Sequence, residues 1–206
     1  MSFSGERVFV VDDDPGVRKS LARLLRSAGL EPIAFESPQE FLRTLGAEPA
    51  GCAILDVTMP GLDGLTLQRE LTSRGSELPV IFLTGHGDVP KSVQAMKGGA
   101  KDFLTKPVDD EVLLDAVRRA LEVDRAGRES RRERTEIQKR LAALTPRERE
   151  VMEGVVAGRL NKQIASDLGI SEKTVKVHRG RVMEKMAASS VAELVRMADR
   201  AALRRP

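Results

Sequence analysis

The chain has 206 residues, 41% of them apolar and 32% charged, a balance that excludes collagen-like, low-complexity and disulfide-scaffold classes. Its one cysteine, Cys52, cannot close an internal disulfide, and no apolar run reaches the roughly 18–20 residues that span a bilayer, so the reading is a cytoplasmic protein with no membrane partner. The formal charge of +3 hides an asymmetry: residues 1–124 are net −6 and residues 125–206 net +9, which points to two domains with different partners, the basic one suited to nucleic acid.

The first half alternates short apolar runs with helical patterns. Val8–Val11 comes first and turns acidic at once, too short for a signal-peptide core. Asp14-Pro15 then sets a capping residue before a proline at the first helical position; Val17, Leu21, Leu24 and Leu25 follow at helical spacing, and Gly29 ends the helix. A weaker run lies near Glu31–Phe35. Ser37-Pro38-Gln39-Glu40 reads as a capping box ahead of Phe41 and Leu42. Cys52–Val57, Pro79–Leu83 and Ala100–Leu104 complete the runs, with helices expected over about 63–74, 88–98 and 109–122. Continuous rather than alternating apolar runs suit parallel strands buried on both faces. Five βα units predict an α/β, flavodoxin-like (βα)5 domain with a parallel sheet in the order 2-1-3-4-5.

In such folds ligands sit beyond the carboxyl ends of the strands. Asp12, Asp13 and Asp14 follow the first strand, Asp56 ends the third, Thr84 the fourth, and Lys106 stands past the fifth, before Pro107. Three carboxylates in one pocket require a cation, and hard oxygen ligands with room for waters suit Mg²⁺. A lysine and a hydroxyl beside it make a cradle for a phosphoryl group. The chemistry expected is in-line phosphoryl transfer onto Asp56, with Mg²⁺ and Lys106 neutralising charge on the transferred oxygens and Thr84 donating a hydrogen bond to them. Asp14 reads as a helix cap rather than a ligand, His86 as a polar loop residue rather than a base, and Cys52 as inert core.

Val10-Val11-Asp12-Asp13-Asp14, Leu55-Asp56-Val57-Thr58-Met59-Pro60-Gly61, Thr84-Gly85-His86-Gly87 and Lys106-Pro107 resemble the receiver domain of two-component response regulators, over about residues 6–123. The resemblance implies that Asp12 and Asp13 hold Mg²⁺ with Asp56 and the backbone carbonyl of Thr58, and that Asp56 is the phosphoacceptor. It also implies a cis Lys106–Pro107 peptide and a switch role for Phe103; the plain alternative for Phe103 is a core residue. The receiver is assigned to residues 1–123.

Residues 124–143 are strongly charged, with pairs such as Glu129–Arg132 and Glu136–Arg140, and predict a solvated helical linker, either separate from the helix before it or extending it, with Gly127 as a soft point. A second domain, 144–206, opens at Leu144-Thr145-Pro146-Arg147-Glu148, where Thr145 and Glu148 form a capping box. Short helices at Asn161–Leu168 and Glu172 to about Ala187, joined at Gly169 and capped by Ser171, make a helix-turn-helix; a fourth helix begins near Ser189–Ser190. On the third helix, Val175, Val182, Met183 and Met186 form an inward stripe. Lys173, Val177, Gly180, Arg181 and Glu184 lie opposite, with Lys176 at the flank. An exposed Val177 suits a thymine methyl, Lys176 and Arg181 reach bases or phosphates, and Asn161 and Lys162 meet the backbone. Thr174 and Arg179 complete the expected DNA-contacting set; His178 and Arg179 lie near the inward edge, which suits contacts within the protein or to phosphate rather than base reading.

Leu144–Val151, Asn161–Ala165 and Thr174–His178 resemble the LuxR-type DNA-binding domain, and receiver plus this domain is the NarL/FixJ family of response regulators. His86-Gly-Asp-Val-Pro90 and Thr174–Arg179 are similar to the FixJ branch. The resemblance implies a phosphorylation-switched transcription regulator, not an enzyme, whose partners are a sensor histidine kinase, promoter DNA and RNA polymerase. It places Lys176, Val177 and Gly180 toward the groove, although Gly180 offers no side chain to a base. Phosphorylation is expected to drive homodimerisation, release of the DNA-binding domain, or both. The alternatives are an Mg²⁺-dependent phosphohydrolase on the same sheet and a phosphorylation-independent DNA binder.

Overall fold

The computed structural model describes residues 6–46, 49–85 and 89–202, and the chain divides into two compact units between Arg128 and Glu129. In the first, five strands form one parallel sheet: β1 (Arg7–Val11), β2 (Glu31–Phe35), β3 (Cys52–Asp56), β4 (Val80–Thr84) and β5 (Asp102–Thr105). Their order is β2-β1-β3-β4-β5. The registers Val8↔Pro32, Val8↔Cys52, Ala53↔Val80 and Ile81↔Asp102 keep the strand ends level, so residues far apart in sequence finish at one edge.

Between the strands run α1 (Pro15–Ser27), α2 (Pro38–Thr44), α3 (Gly64–Ser73) and α4 (Val89–Lys97). Alternate residues of the strands feed two cores. Phe9, Phe35, Phe41, Leu55, Leu67 and Phe82 build one; Val10, Leu25, Ile54, Ile81, Leu113 and Leu121 build the other. The central strands β3 and β4 are buried at every residue, whereas β2 buries only Phe35 and β5 none of its four residues completely. Those two are the sheet edges, which is why the Glu31–Phe35 run is weak and tolerates Pro32. The third strand stops at Asp56, one residue short of the expected end, and the fifth starts at Asp102 rather than Ala100.

Local capping follows side-chain chemistry. Asp14 Oδ1 accepts from the N–H groups of Gly16 and Val17 at 2.6 and 3.2 Å, which occupies it as a cap. At α2 the expected box is only half formed: Ser37 Oγ accepts from Glu40 N–H, but Glu40 accepts from Glu36 N–H at 3.3 Å instead of from Ser37.

The charged linker continues the helix before it: α5 runs from Asp110 to Ala142 without a break at Gly127. The segment expected to be solvated is not so throughout. Asp124 is buried and accepts from Gly51 N–H at 2.9 Å and Arg128 Nε at 2.7 Å, and Arg125 grips Glu6 through two nitrogens. Farther along, Ile137 is buried in the core of the second unit.

That second unit adds α6 (Pro146–Val156), α7 (Asn161–Leu168), α8 (Glu172–Met186) and α9 (Val191–Ala202) around Val151, Ile164, Val175, Val182, Met186 and Leu194. Thr145 and Glu148 form the expected reciprocal box at 3.3 and 2.9 Å. Gly169 takes a left-handed φ of 64° at the turn between α7 and α8, where an L side chain is strained. No described helix is long and apolar enough to cross a membrane.

Candidate functional site

In the first unit, the ends of β1, β3 and β4 and the residue past β5 converge. Asp12 is 2% exposed, Asp56 5% and Thr84 3%. Two carboxylates so deep are costly unless a cation is shared between them. Lys106 is that cation: its Nζ lies 2.6 Å from Asp12 Oδ2 and 2.6 Å from Asp56 Oδ1. The remaining oxygens are also engaged, Asp56 Oδ2 by the Thr58 N–H at 2.6 Å and Asp12 Oδ1 by the Asp14 N–H at 2.9 Å. Arg18 adds a bond from Nη1 to the Asp12 carbonyl at 2.7 Å.

The lysine is delivered by its backbone. Lys106 N–H donates to the Thr84 carbonyl at 2.7 Å, and the Lys106–Pro107 peptide is cis. Burial holds the Asp56 carboxyl above its ordinary range, against the opposing pull of Lys106 and the Thr58 N–H. Burial alone would lower Lys106, but its bonds to Asp12 and Asp56 outweigh that and hold it above the usual lysine value.

Asp13 and Thr58 are exposed beside this cluster. Phe103 is half-buried and packs on Phe82, ring centroids 6.1 Å apart. His86 lies outside the described residues. Among the described residues no three acidic, histidine or cysteine side chains form a ready cage for a metal. Sequence reasoning missed one participant, Gly64. A Cβ there would stand 2.1 Å from the Asp56 carbonyl oxygen and 3.1 Å from the Phe82 ring, so only glycine lets α3 start this close behind Asp56. The available signal was a glycine at a helix start just after a strand-end aspartate.

In the second unit, α8 presents Lys173, Lys176, Gly180 and Arg181 to solvent, and Val177 is 49% exposed among them. Val175, Val182 and Met186 face the core, and Met183 packs at its edge. Lys162 is exposed on the first turn of α7. Three of the expected DNA-contacting residues, Asn161, Thr174 and Arg179, also make hydrogen bonds within the protein. Arg179 Nη1 donates to Asn161 Oδ1 at 3.1 Å, and the Thr174 hydroxyl is 2.8 Å from Ser171 Oγ. His178 Nδ1 is buried and, among the described residues, has no hydrogen-bond partner.

Residues 8–118 match the response regulator receiver domain, and residues 142–198 match the luxR family of bacterial regulatory proteins. The chain is 50% identical over 192 residues to nodulation protein W of Bradyrhizobium diazoefficiens, spanning 93% of this chain and 85% of that protein. It is 51% identical over 193 residues to the transcriptional regulatory protein FixJ of Azorhizobium caulinodans, spanning 93% and 90%. Among solved structures, the response regulator StyR matches with a TM-score of 0.87 at 43% identity, over 95% of this chain and 98% of that one.

Proposed function

The chain belongs to the response regulators of the NarL/FixJ type, a receiver followed by a LuxR-type DNA-binding domain, and from that premise we propose that Asp56 accepts the phosphoryl group from a sensor histidine kinase. The observation that carries this reading is the position of Lys106 Nζ, 2.6 Å from two buried carboxylates at neighbouring strand ends. One Asp56 oxygen attacks phosphorus as the donor's P–N bond breaks; the departing imidazole takes up a proton, and Asp56 becomes an acyl phosphate. Lys106 keeps Asp56 ionised before transfer and pairs with the phosphoryl oxygens afterwards. Thr84, at the end of β4, donates its hydroxyl to one of those oxygens.

The donor set fits a hard divalent cation. Asp12, Asp13, Asp56 and the Thr58 carbonyl are all oxygen ligands, and Mg²⁺ is ordinarily held by one or two carboxylates and waters rather than a closed protein cage. Bound there, Mg²⁺ supplies charge neutralisation for the transferred oxygens.

Thr84 and Phe103 carry the change outward. Phe82 pairs with Phe103, and Thr84 with Thr105, across β4 and β5, so movement of Thr84 alters the packing of Phe103. The altered face pairs with a second copy, frees the DNA-binding domain, or both, and the regulator then acts on promoter DNA and RNA polymerase in the cytoplasm. Lys162, Lys176, Val177 and Arg181 make the DNA contacts, with the Gly180 backbone close to the groove.

Intact mass after incubation with Mg²⁺ and acetyl phosphate tests the chemistry. One phosphoryl adduct on the wild type and none on Asp56→Asn is expected. An adduct on Asp56→Asn, or sustained turnover of phosphate esters, contradicts it; turnover would favour the phosphohydrolase reading.

A further inference from the structure

We infer that Arg179 is a positioning residue in DNA binding, not a DNA contact: it ties the first residue of α7 to the middle of α8. The inference rests on the reading of α8 as the DNA-facing helix. Its ground is the bond from Arg179 Nη1 to Asn161 Oδ1, 3.1 Å long and partly buried, between residues 18 apart. Both side chains are partly withdrawn from solvent, whereas Lys162, Lys176, Val177 and Arg181 are exposed. The helix-turn-helix therefore sorts its polar residues into a fixed pair between the helices and an open set outside.

The pair has a definite mechanical job. The turn between α7 and α8 is anchored at Gly169, at the far end of α7. The near end carries Lys162 and needs its own tie to hold it at a fixed distance from Val177. At that end the cap position is Leu160, which has no polar side chain to cap the helix and is 69% exposed; Gln163 Oε1 accepts from the Leu160 N–H at 2.8 Å instead. Asn161 is thus not occupied as a cap and is available to Arg179. The guanidinium fork suits this task because its donors are rigidly spaced. Loss of the bond lets α7 and α8 drift, which weakens every contact that spans both helices without removing a charge contact to phosphate.

Salt dependence separates positioning from contact, because each phosphate neutralised adds about 0.9 to the slope of log K against log salt concentration. The probe is a DNA duplex selected from a random pool by the wild-type chain, and the protein is the full chain treated with acetyl phosphate and Mg²⁺. Arg179→Ala is expected to weaken binding about three- to tenfold with the slope unchanged. Asn161→Ala is expected to do the same, and the double variant no more than either alone. Arg179→Gln, which keeps a donor and drops the charge, is expected to restore much of the affinity. Lys176→Ala and Arg181→Ala should each lower the slope by about 0.9. A lowered slope in both Arg179 variants, or additive losses in the double variant, overturns the proposal in favour of a direct phosphate contact. If Lys176→Ala and Arg181→Ala leave the slope untouched as well, the DNA-facing assignment of α8 falls, and the proposal with it. Thermal unfolding of each variant separates loss of the fold from loss of the tie.

Discussion

The two functional surfaces are built on opposite principles. The receiver hides its chemistry: Asp12, Asp56 and Thr84 are buried at strand ends, and a lysine fifty residues beyond Asp56 compensates two of them at once. The second unit keeps its charge in the open, with lysines, an arginine and a valine of α8 exposed. A buried charged site tolerates little, because each group depends on partners supplied by other strands. An exposed helical face tolerates more, and its residues act nearly independently.

Glycine→alanine substitutions break this comparison most sharply. Gly64→Ala forces a Cβ to within 2.1 Å of the Asp56 carbonyl oxygen, so the receiver is expected to lose about 3 kcal/mol or more in urea unfolding and to accept phosphate poorly. Gly180 has nothing within 4 Å of an added Cβ. Gly180→Ala is expected to stabilise the DNA-binding unit by about 0.5–1 kcal/mol in the same measurement, through helix propensity alone. If both substitutions destabilise equally, the contrast between the two surfaces is wrong.

Next in size is Lys106→Met, which should slow adduct formation from acetyl phosphate by on the order of a hundredfold while leaving DNA affinity of the unphosphorylated chain unchanged. A rate within threefold of wild type would remove Lys106 from the chemistry.

A pH effect belongs to the second unit. Glu148 is held at about 2, below its ordinary 4.5, by its bond to Lys185 and by the Thr145 N–H. Its folded value is the depressed one, so its contribution is complete above about pH 4.5 and fades as pH falls toward about 2. The stability difference between wild type and Glu148→Gln should therefore shrink over that window, with hydrogen exchange in α6 and α8 reporting it. A constant difference would contradict the assignment.

An effect as small as that at Gly180 is expected at Ala187, which ends α8 with a left-handed φ of 51°. Ala187→Gly should raise stability by about 0.5–1 kcal/mol in urea unfolding, opposite to the usual sign for that substitution.

The sheet order, the strand-end residues and the inward stripe of α8 were legible in the sequence because each follows from a period or from a chain-end chemistry that topology repeats. Gly64 was not, since its role depends on how closely α3 starts behind Asp56. That Arg179 suits a contact within the protein was legible from its place near the inward edge of α8, but its partner Asn161 was not, because the angle between the helices decides which polar residue meets it. The charged stretch after residue 123 read as a solvated linker because composition averages over faces. Within α5, Asp124 enters a buried bond with Gly51 in the first unit, and Ile137 enters the core of the second.

The most direct test of the central claim, that phosphate on Asp56 switches DNA binding, is fluorescence anisotropy on the selected duplex with and without acetyl phosphate and Mg²⁺, for wild type and Asp56→Asn. Wild type should gain affinity on treatment and Asp56→Asn should not respond. Equal affinity for both proteins under both conditions would make this a DNA binder indifferent to phosphorylation.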